Sequence, residues 1–585
     1  MRFRTLTFCS VVFLACDSSS DGGVADTAVD PDVAADTATV DDATADATSA
    51  PDAEVVDDVG VADVADIADV ATGPLPDVTV TWEACDELQH EPHDNVDCAV
   101  VPMPLDWEHP ERGSIDIWVK RLRSADTGTP RRALWLLMGG PGQAGSDGES
   151  LAALLAERDP GLDFYLPDHR GTGKSTQLVC PIQQGSLSQG GPNITAHEWP
   201  ACRDALVGKW GDGLAHFSTT GAAHDTAALI GAIHAPEDQV VVLGISYGTY
   251  LANRYLEVAG RHAGGLADGV VLDSICAGDH CLLSLEDVWE DGTAQEILSH
   301  CPEDPECASR FPGRTGAWDA LGTLYDKIAA GHCPIAGDPD SDRELLRTAM
   351  GNLMFGFAGR RATAAFIHRY LRCDADDVTA IRFLYTRLFG YDPGAASFEL
   401  PPPSAFAPGG HEGFSFPLQV NILASELWEP EDPGPDELLA RWEATRSCRG
   451  TGKAAAFEVP GWPRYHDPLA GTLAESDVPL LALNADLDTA TPARYARPLG
   501  QHFTAPHQRY IEIVGGAHSL MTQGQLMSDP TSTCGRELLL QFVQDPKAEL
   551  DTACLADTLP LGFHFRVEAT RFFFGTDDLY GDPPQ

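Results

Sequence analysis

The chain of 585 residues is short of positive charge: 38 Lys and Arg stand against 88 Asp and Glu, for a net charge of −50. Holding nucleic acid requires a basic face that displaces counterions from phosphates, so nucleic acid is excluded as a partner. Long apolar runs are lacking too. No stretch reaches eighteen apolar residues, the least a membrane-spanning helix needs. Residues 17–78 contain no Lys, no Arg and no aromatic residue, yet carry 17 acidic side chains. Such a segment cannot bury enough apolar surface to offset its ordering entropy, and its charges repel one another, so it reads as a disordered tether. With 43% hydrophobic residues overall, the remainder can build a sizeable core.

The N-terminus has the form of an address. Met1-Arg-Phe-Arg4 is basic, Thr5 to Ala15 is an apolar run, and Cys16 closes it. The run is too short for a permanent bilayer helix and has the length of an export signal. Phe13-Leu14-Ala15-Cys16 resembles a bacterial lipobox, which would make Cys16 the lipidated first residue of the mature protein. Phe13 stands where Leu is usual, which leaves a plain secretory signal open. The expectation is an exported protein of the cell envelope, periplasmic or cell-surface, whose membrane contact is the lipid on Cys16 alone.

Cysteine usage points to the same compartment. Thirteen of the fifteen Cys follow the address, and ten of them fall in close sequence pairs: Cys85 with Cys98, Cys180 with Cys202, Cys276 with Cys281, Cys301 with Cys307, and Cys534 with Cys554. In an exported chain these read as disulfides. Zinc needs ligand pairs two to four residues apart, and the spacing of Cys301 and Cys307 is wider, so no metal is expected. Thirteen is odd, so one thiol at least stays unpaired, and Cys333, Cys373 and Cys448 are unassigned. His90-Glu-Pro-His93 has the wrong spacing for a metalloprotease helix, which Pro92 would break.

From about residue 79, short apolar runs alternate with helix-compatible stretches. Ile115-Asp-Ile-Trp-Val119 alternates like an exposed strand, whereas Ala133-Leu-Trp-Leu-Leu137 is continuous, as in a strand buried on both faces. Phe164–Leu166, Val240–Leu243, Val270–Leu272, Leu480–Leu483 and Tyr510–Val514 add strands, and Ala222–Ile233 reads as a helix between two of them. The pattern predicts an α/β fold with a mostly parallel sheet. The interval from Asp273 to Leu480 is too long for a crossover. Its helix-like stretches (Ala317–Ala329, Arg343–Phe357, Ala364–Leu371, Asp377–Leu388) predict a large, mainly helical cap insertion. The expected organisation is a signal in 1–16, a tether in 17–78, core in 79–275, cap in 276–475 and core again in 476–585.

Gly244-Ile-Ser-Tyr-Gly248 directly follows a strand, and the helix-compatible Thr249–Val258 follows it. Five letters alone are weak; their placement at a strand-to-helix turn is stronger, because a serine there needs small neighbours at a crowded bend. A serine hydroxyl needs a base, and the base needs a third group to fix its tautomer. The strand Leu480–Leu483 runs into Asn484-Ala-Asp-Leu-Asp-Thr-Ala-Thr-Pro492, and the last strand into Gly515-Gly-Ala-His-Ser519. Ser246, Asp488 and His518 thus each follow a strand's C-terminal end, where open parallel sheets place active sites. Asp486 competes with Asp488 as the acid. Met138-Gly-Gly-Pro-Gly142, after the buried strand, supplies backbone free to approach a substrate, and predicts the amides of Gly140 and Tyr247 as oxyanion donors.

With Gly139-Gly-Pro-Gly142, Asp168-His-Arg-Gly-Thr-Gly-Lys-Ser175, Gly244-Ile-Ser-Tyr-Gly248, Asp488-Thr-Ala-Thr-Pro492 and Gly516-Ala-His518, the chain resembles exported α/β-hydrolases of the tripeptidyl-aminopeptidase and proline-iminopeptidase branch over about residues 79–560. Nucleophile, acid and histidine follow the chain order of that fold. The resemblance implies an α/β-hydrolase fold, a serine exopeptidase acting at peptide N-termini, and no cofactor. It implies Asp488 as the acid, Cys534 and Cys554 as a pair, and a bracing role for Arg170. It also implies a cap carboxylate that binds the free amine: Ala424-Ser-Glu426 lies where relatives carry Cys-x-Glu, so Glu426 is the candidate anchor. Ala424 in place of that Cys leaves Cys448 without its usual partner. The catalytic motifs would serve a carboxylesterase for small acyl esters equally well, and a tethered binding protein with a vestigial triad is the third reading.

Overall fold

The computed structural model describes residues 73–74, 78–85, 95–126, 128–185, 188, 191, 193–263, 265–276, 278–312, 316–394 and 413–581. The address with Cys16, the tether through residue 72 and the His90–His93 motif lie outside them. Gly73–Pro74, at the tether's end, pairs in parallel with His262–Ala263. Among the described residues no helix is long and apolar enough to cross a membrane.

Eight principal strands form one sheet: β1 (Val96–Pro104), β2 (Ser114–Leu122), β3 (Arg132–Leu137), β4 (Leu162–Asp168), β5 (Gln239–Ile245), β6 (Gly269–Asp273), β7 (Leu480–Ala485) and β8 (Gln508–Ile513). Their order across the sheet is β1-β2-β4-β3-β5-β6-β7-β8, with Glu83–Ala84 paired to the outer edge of β1. β2 runs antiparallel to both β1 and β4; from β4 to β8 every pairing is parallel. This order and these directions are those of the α/β-hydrolase fold. Parallel strands place all their C-terminal ends on one edge, and the loops there bring distant chain segments together.

The continuous apolar run of β3 is explained by two covered faces. Leu134 and Leu136 join a core with Leu151 and Leu155 of α1 (Glu149–Arg158) and with Leu538 and Phe542 of the late helix Cys534–Gln544. Period-two alternation turns Ala133, Trp135 and Leu137 to the opposite face, and they too are buried. Each such leucine contributes roughly 2–3 kcal/mol by leaving water. α2 (Trp199–Trp210), α3 (Thr219–Ile233) and α4 (Tyr247–Ala259) occupy the connections before β5 and β6, with α3 packed on α4. β1 escaped the sequence reading: Pro102 and Pro104 depress its strand propensity, and burial alternates along it around the exposed Val100.

Between β6 and β7 lies the helical insertion: α5 (Glu286–Ser299), α6 (Pro305–Arg310), α7 (Ala317–Ala329), α8 (Pro339–Phe355), α9 (Phe357–Arg372), α10 (Ala375–Phe389), α11 (Phe416–Glu426), α12 (Pro435–Ala444) and α13 (Thr451–Glu458). The helix expected over 343–357 starts earlier, because the Asp338 carboxylate accepts from Asp340 and Ser341 and caps it. It stops at Phe355 because Gly356 adopts extended backbone, and α9 begins one residue later.

All five sequence-paired cysteine couples are disulfides: Cys85 with Cys98, Cys180 with Cys202, Cys276 with Cys281, Cys301 with Cys307, and Cys534 with Cys554. They are crosslinks of the scaffold rather than parts of a reacting centre. Cys98 lies in β1 and holds the edge segment that carries Cys85. Cys202 lies in α2 and fastens it to the loop after β4. Cys307 lies in α6 and fastens its start to the turn Cys301–Glu303. All three are buried, and an oxidised sulfur is neither a nucleophile nor a metal ligand. Cys333 pairs with Cys373 across 40 residues, and Cys448 is the odd thiol, buried against Thr445. Replacing both Cys333 and Cys373 by Ser is expected to cost roughly 3–4 kcal/mol by releasing that loop in the unfolded chain. Denaturant unfolding checks it, as a lower midpoint.

Candidate active site

Ser246 stands at the junction of β5 and α4 with φ 57° and ψ −126°, a strained conformation for any residue but glycine. Its neighbours leave no room for side chains. A Cβ on Gly244 would lie 2.2 Å from the Gly248 carbonyl oxygen, and one on Gly248 2.0 Å from that of Leu137. The bend packs helix against strand and lifts Ser246, partly exposed, to the positive end of α4. A Cβ on Gly139 would meet Ser246 Cβ at 2.9 Å, so the loop after β3 lies directly on the serine.

Asp488 and His518 meet after β7 and β8. Asp488 Oδ1 and Oδ2 lie 3.0 and 2.9 Å from His518 Nδ1. The carboxylate is buried and accepts from the amides of Ala490 and Thr491, both at 2.9 Å, and from the Thr491 hydroxyl at 2.8 Å. Burial alone would raise its pKa; His518 and the Thr491 donors outweigh it and hold the group below its usual range. An ionised Asp488 only accepts, so Nδ1 is the nitrogen that holds the proton in the neutral tautomer of His518. Asp486 makes a different contact, accepting from the Gly515 amide at 2.8 Å.

The serine and the Asp488–His518 pair share the same sheet edge. Among the described residues no hydrogen bond joins Ser246 Oγ to His518. Their link runs through Asp273, at the end of β6: its carbonyl accepts from the Ser246 amide at 2.9 Å, and its carboxylate accepts from the amides of Leu520 and Met521, just past His518.

Gly140 is exposed, with φ 111°, and Tyr247 opens α4, so its amide has no acceptor within the helix. The Gly140 loop is fastened to the insertion: Ser415, which caps α11, donates its amide to the Gly142 carbonyl at 2.8 Å. Arg360 of α9, wholly buried, donates to the carbonyls of Leu487, Gly515 and Gly516, gripping the aspartate and histidine loops together. The Phe355 ring lies 5.1 Å from the His518 ring, and the Arg449 guanidinium stacks 4.2 Å from the centre of the Phe355 ring. Sequence reasoning gave Thr491, Asp273, Arg360, Phe355 and Ser415 no role. Thr491 alone carried a local signal, three residues after Asp488.

Arg170 is buried in a five-bond network. It donates to both Asp225 oxygens at 2.7 and 2.8 Å and to the carbonyls of Pro104, Leu105 and His216. It therefore fastens the loop after β4 to the end of β1 and to α3. Glu426, the last residue of α11, is buried. Its Oε1 accepts from the Thr219 amide at 2.9 Å and the Tyr465 hydroxyl at 2.6 Å; its Oε2 faces Arg254 Nη1 at 3.8 Å without a hydrogen bond. Burial, then the nearby Asp467, raises its pKa against the pull of Arg254.

No protein-family model matches the chain, and no curated protein matches it. Among solved structures, a proline iminopeptidase of Mycobacterium smegmatis is similar at 15% identity over 77% of this chain and 98% of its own, with a TM-score of 0.31. An epoxide hydrolase from an endophytic Streptomyces is similar at 14% identity over 77% and 96%, with a TM-score of 0.32. A mutant of the epoxide hydrolase from Solanum tuberosum reaches 13% over 76% and 94%, with a TM-score of 0.28. The order and direction of the strands are what identify the chain as an α/β-hydrolase fold.

Proposed function

We propose that the protein is a serine hydrolase, an exported exopeptidase that releases residues from peptide N-termini. The observation that carries the chemistry is a buried Asp488–His518 pair and a strained serine elbow that stand on the same sheet edge. In this reading His518 Nε2 takes the Ser246 Oγ proton as that oxygen attacks the peptide carbonyl. Asp488 stabilises the imidazolium, and the amides of Gly140 and Tyr247 receive the developing oxyanion. The imidazolium protonates the departing amine, and water, activated by the same base, clears the acyl-enzyme. Hydrogen bonds of this kind are commonly long or unmade in a substrate-free site and tighten in the complex. Six disulfides support export, since such bonds persist in oxidising compartments. The reading retains lipid attachment through Cys16 and needs no cofactor.

Covalent labelling by a fluorophosphonate, lost in Ser246→Ala, tests the chemistry; an unlabelled wild type would leave the tethered binding protein. Hydrolysis of matched peptides with free and N-acetylated ends tests the substrate, and equal rates would reject the exopeptidase. Turnover of nitrophenyl esters without any peptide cleavage would make the enzyme an esterase.

Glu426 is the carboxylate this reading assigns to the substrate amine. Its Oε1 is occupied by the Thr219 amide and the Tyr465 hydroxyl, which leaves Oε2 for the amine. Glu426→Gln is therefore expected to slow free-amine substrates by about tenfold or more, the size of one charge-assisted contact, while sparing acetylated ones. An equal loss on both would make Glu426 a packing residue.

A further inference from the structure

Asp273 is an unusual group to find beside a reacting centre without a role. It is completely buried at the end of β6 and, among the described residues, makes no ion pair with Lys or Arg; three neutral donors compensate its charge. Oδ1 accepts from the Leu520 amide at 2.9 Å and the Ser274 hydroxyl at 3.0 Å, and Oδ2 accepts from the Met521 amide at 3.1 Å. The Ser274 oxygen in turn accepts from the Ser519 amide at 2.7 Å. Three successive amides after His518 are thereby held by one side chain and its neighbour. Two of these residues are strained: Ser274 has φ 62° and Ser519 φ 68°. Non-glycine residues keep such angles only where surrounding contacts impose them.

Resting on the serine-hydrolase reading, we propose that Asp273 is a positioning residue for the base: its carboxylate anchors the loop that carries His518, so that the imidazole addresses Ser246 in one orientation. The same residue holds the Ser246 amide through its carbonyl, so nucleophile and base are registered on a single strand end. The charged and titratable groups around it are His518, from the loop after β8, and beyond the imidazole Asp488, from the loop after β7; the positive end of α4 lies on the β5 side. Burial raises the pKa of Asp273 to about 6, against the amides of Leu520 and Met521 and the charge of His518. Above that pH the ionised carboxylate accepts all three donors. Below it, the carboxyl gains an O–H that competes with an amide donor, and the loop loses one of its ties.

The test compares wild type, Asp273→Asn and Ser274→Ala, each normalised to the fraction of sites labelled by a fluorophosphonate. Asp273→Asn is expected to lower kcat by tenfold or more with KM within about twofold. Its fluorophosphonate rate should fall in parallel, and the gap to wild type should narrow below about pH 6, where the wild-type carboxyl is itself protonated and only the His518 limb common to both enzymes remains. Ser274→Ala, which keeps the carboxylate and its two amide donors but removes the tie to the Ser519 amide, is expected to show a smaller kcat loss. Unchanged kcat in Asp273→Asn, or a gap to wild type that stays the same from pH 5 to pH 8, would overturn the proposal. So would a loss in KM alone, or, should that variant not fold, a Ser274→Ala enzyme identical to wild type. A wild type that the probe never labels would overturn the hydrolase reading itself, and this inference with it.

Discussion

Ser246→Ala is expected to lower kcat by about 10⁶-fold, the scale on which a serine protease depends on its nucleophile, while the protein folds as before. Oγ makes no hydrogen bond among the described residues, so its removal leaves no buried group unsatisfied. The strain of φ 57° and ψ −126° stays, because alanine dislikes that region as much as serine does. Glycine does not. Ser246→Gly should be equally inactive and more stable than Ser246→Ala by about 1 kcal/mol, from relief of a backbone cost of order 1–3 kcal/mol. Equal unfolding midpoints for the two variants would show that the elbow stores no strain. Residual turnover above about one part in a thousand of wild type would show that another group attacks the substrate.

Arg170→Met should cost about 3–5 kcal/mol of stability. The methionine fills the space but abandons Asp225 in a buried site with only Trp107 Nε1 as a donor, along with three orphaned carbonyls. Burial already raises the Asp225 pKa, with Arg170 as the first opposing influence. Without Arg170 the folded-state value rises further above the unfolded one. The variant's Asp225 contribution is then fully present at acid pH and lost as pH climbs through the raised value. The deficit against wild type should therefore widen as pH rises from about 4, the unfolded carboxylate value, toward neutral. Denaturant unfolding at both ends of that range checks it; a deficit independent of pH would mean the lost carbonyl contacts, not the abandoned charge, set the cost.

How far the sequence could be read depended on where the physical cause lay. The run at Ala133–Leu137 announced a strand because burial on both faces erases alternation. The elbow was legible because Gly244 and Gly248 are dictated by contacts a few residues away. Cys98, Cys202 and Cys307 each found a partner within two dozen residues, so proximity along the chain was enough to pair them. Cys333 and Cys373 sit too far apart to suggest each other. The helix α5 was not legible either: it buries Glu286, Asp287 and Glu290 against Arg449 and backbone amides of residues 449–453, so it shows no apolar stripe. Asp273 reads from sequence as an ordinary strand end, since its donors arrive from 247 and 248 residues away. Glu426 could be picked out by motif, but Thr219 and Tyr465, which enclose it, come from separate segments.

The attachments of Arg360 and Ser415 bear on how this protein could be shortened. Here a guanidinium from α9 stitches the aspartate loop to the histidine loop, and the start of α11 is sewn to the glycine loop beside the serine. A trimmed chain retaining only the sheet and its flanking helices would lose the braces of three loops at once, so the smallest unit that keeps this geometry includes the roof as well as the floor.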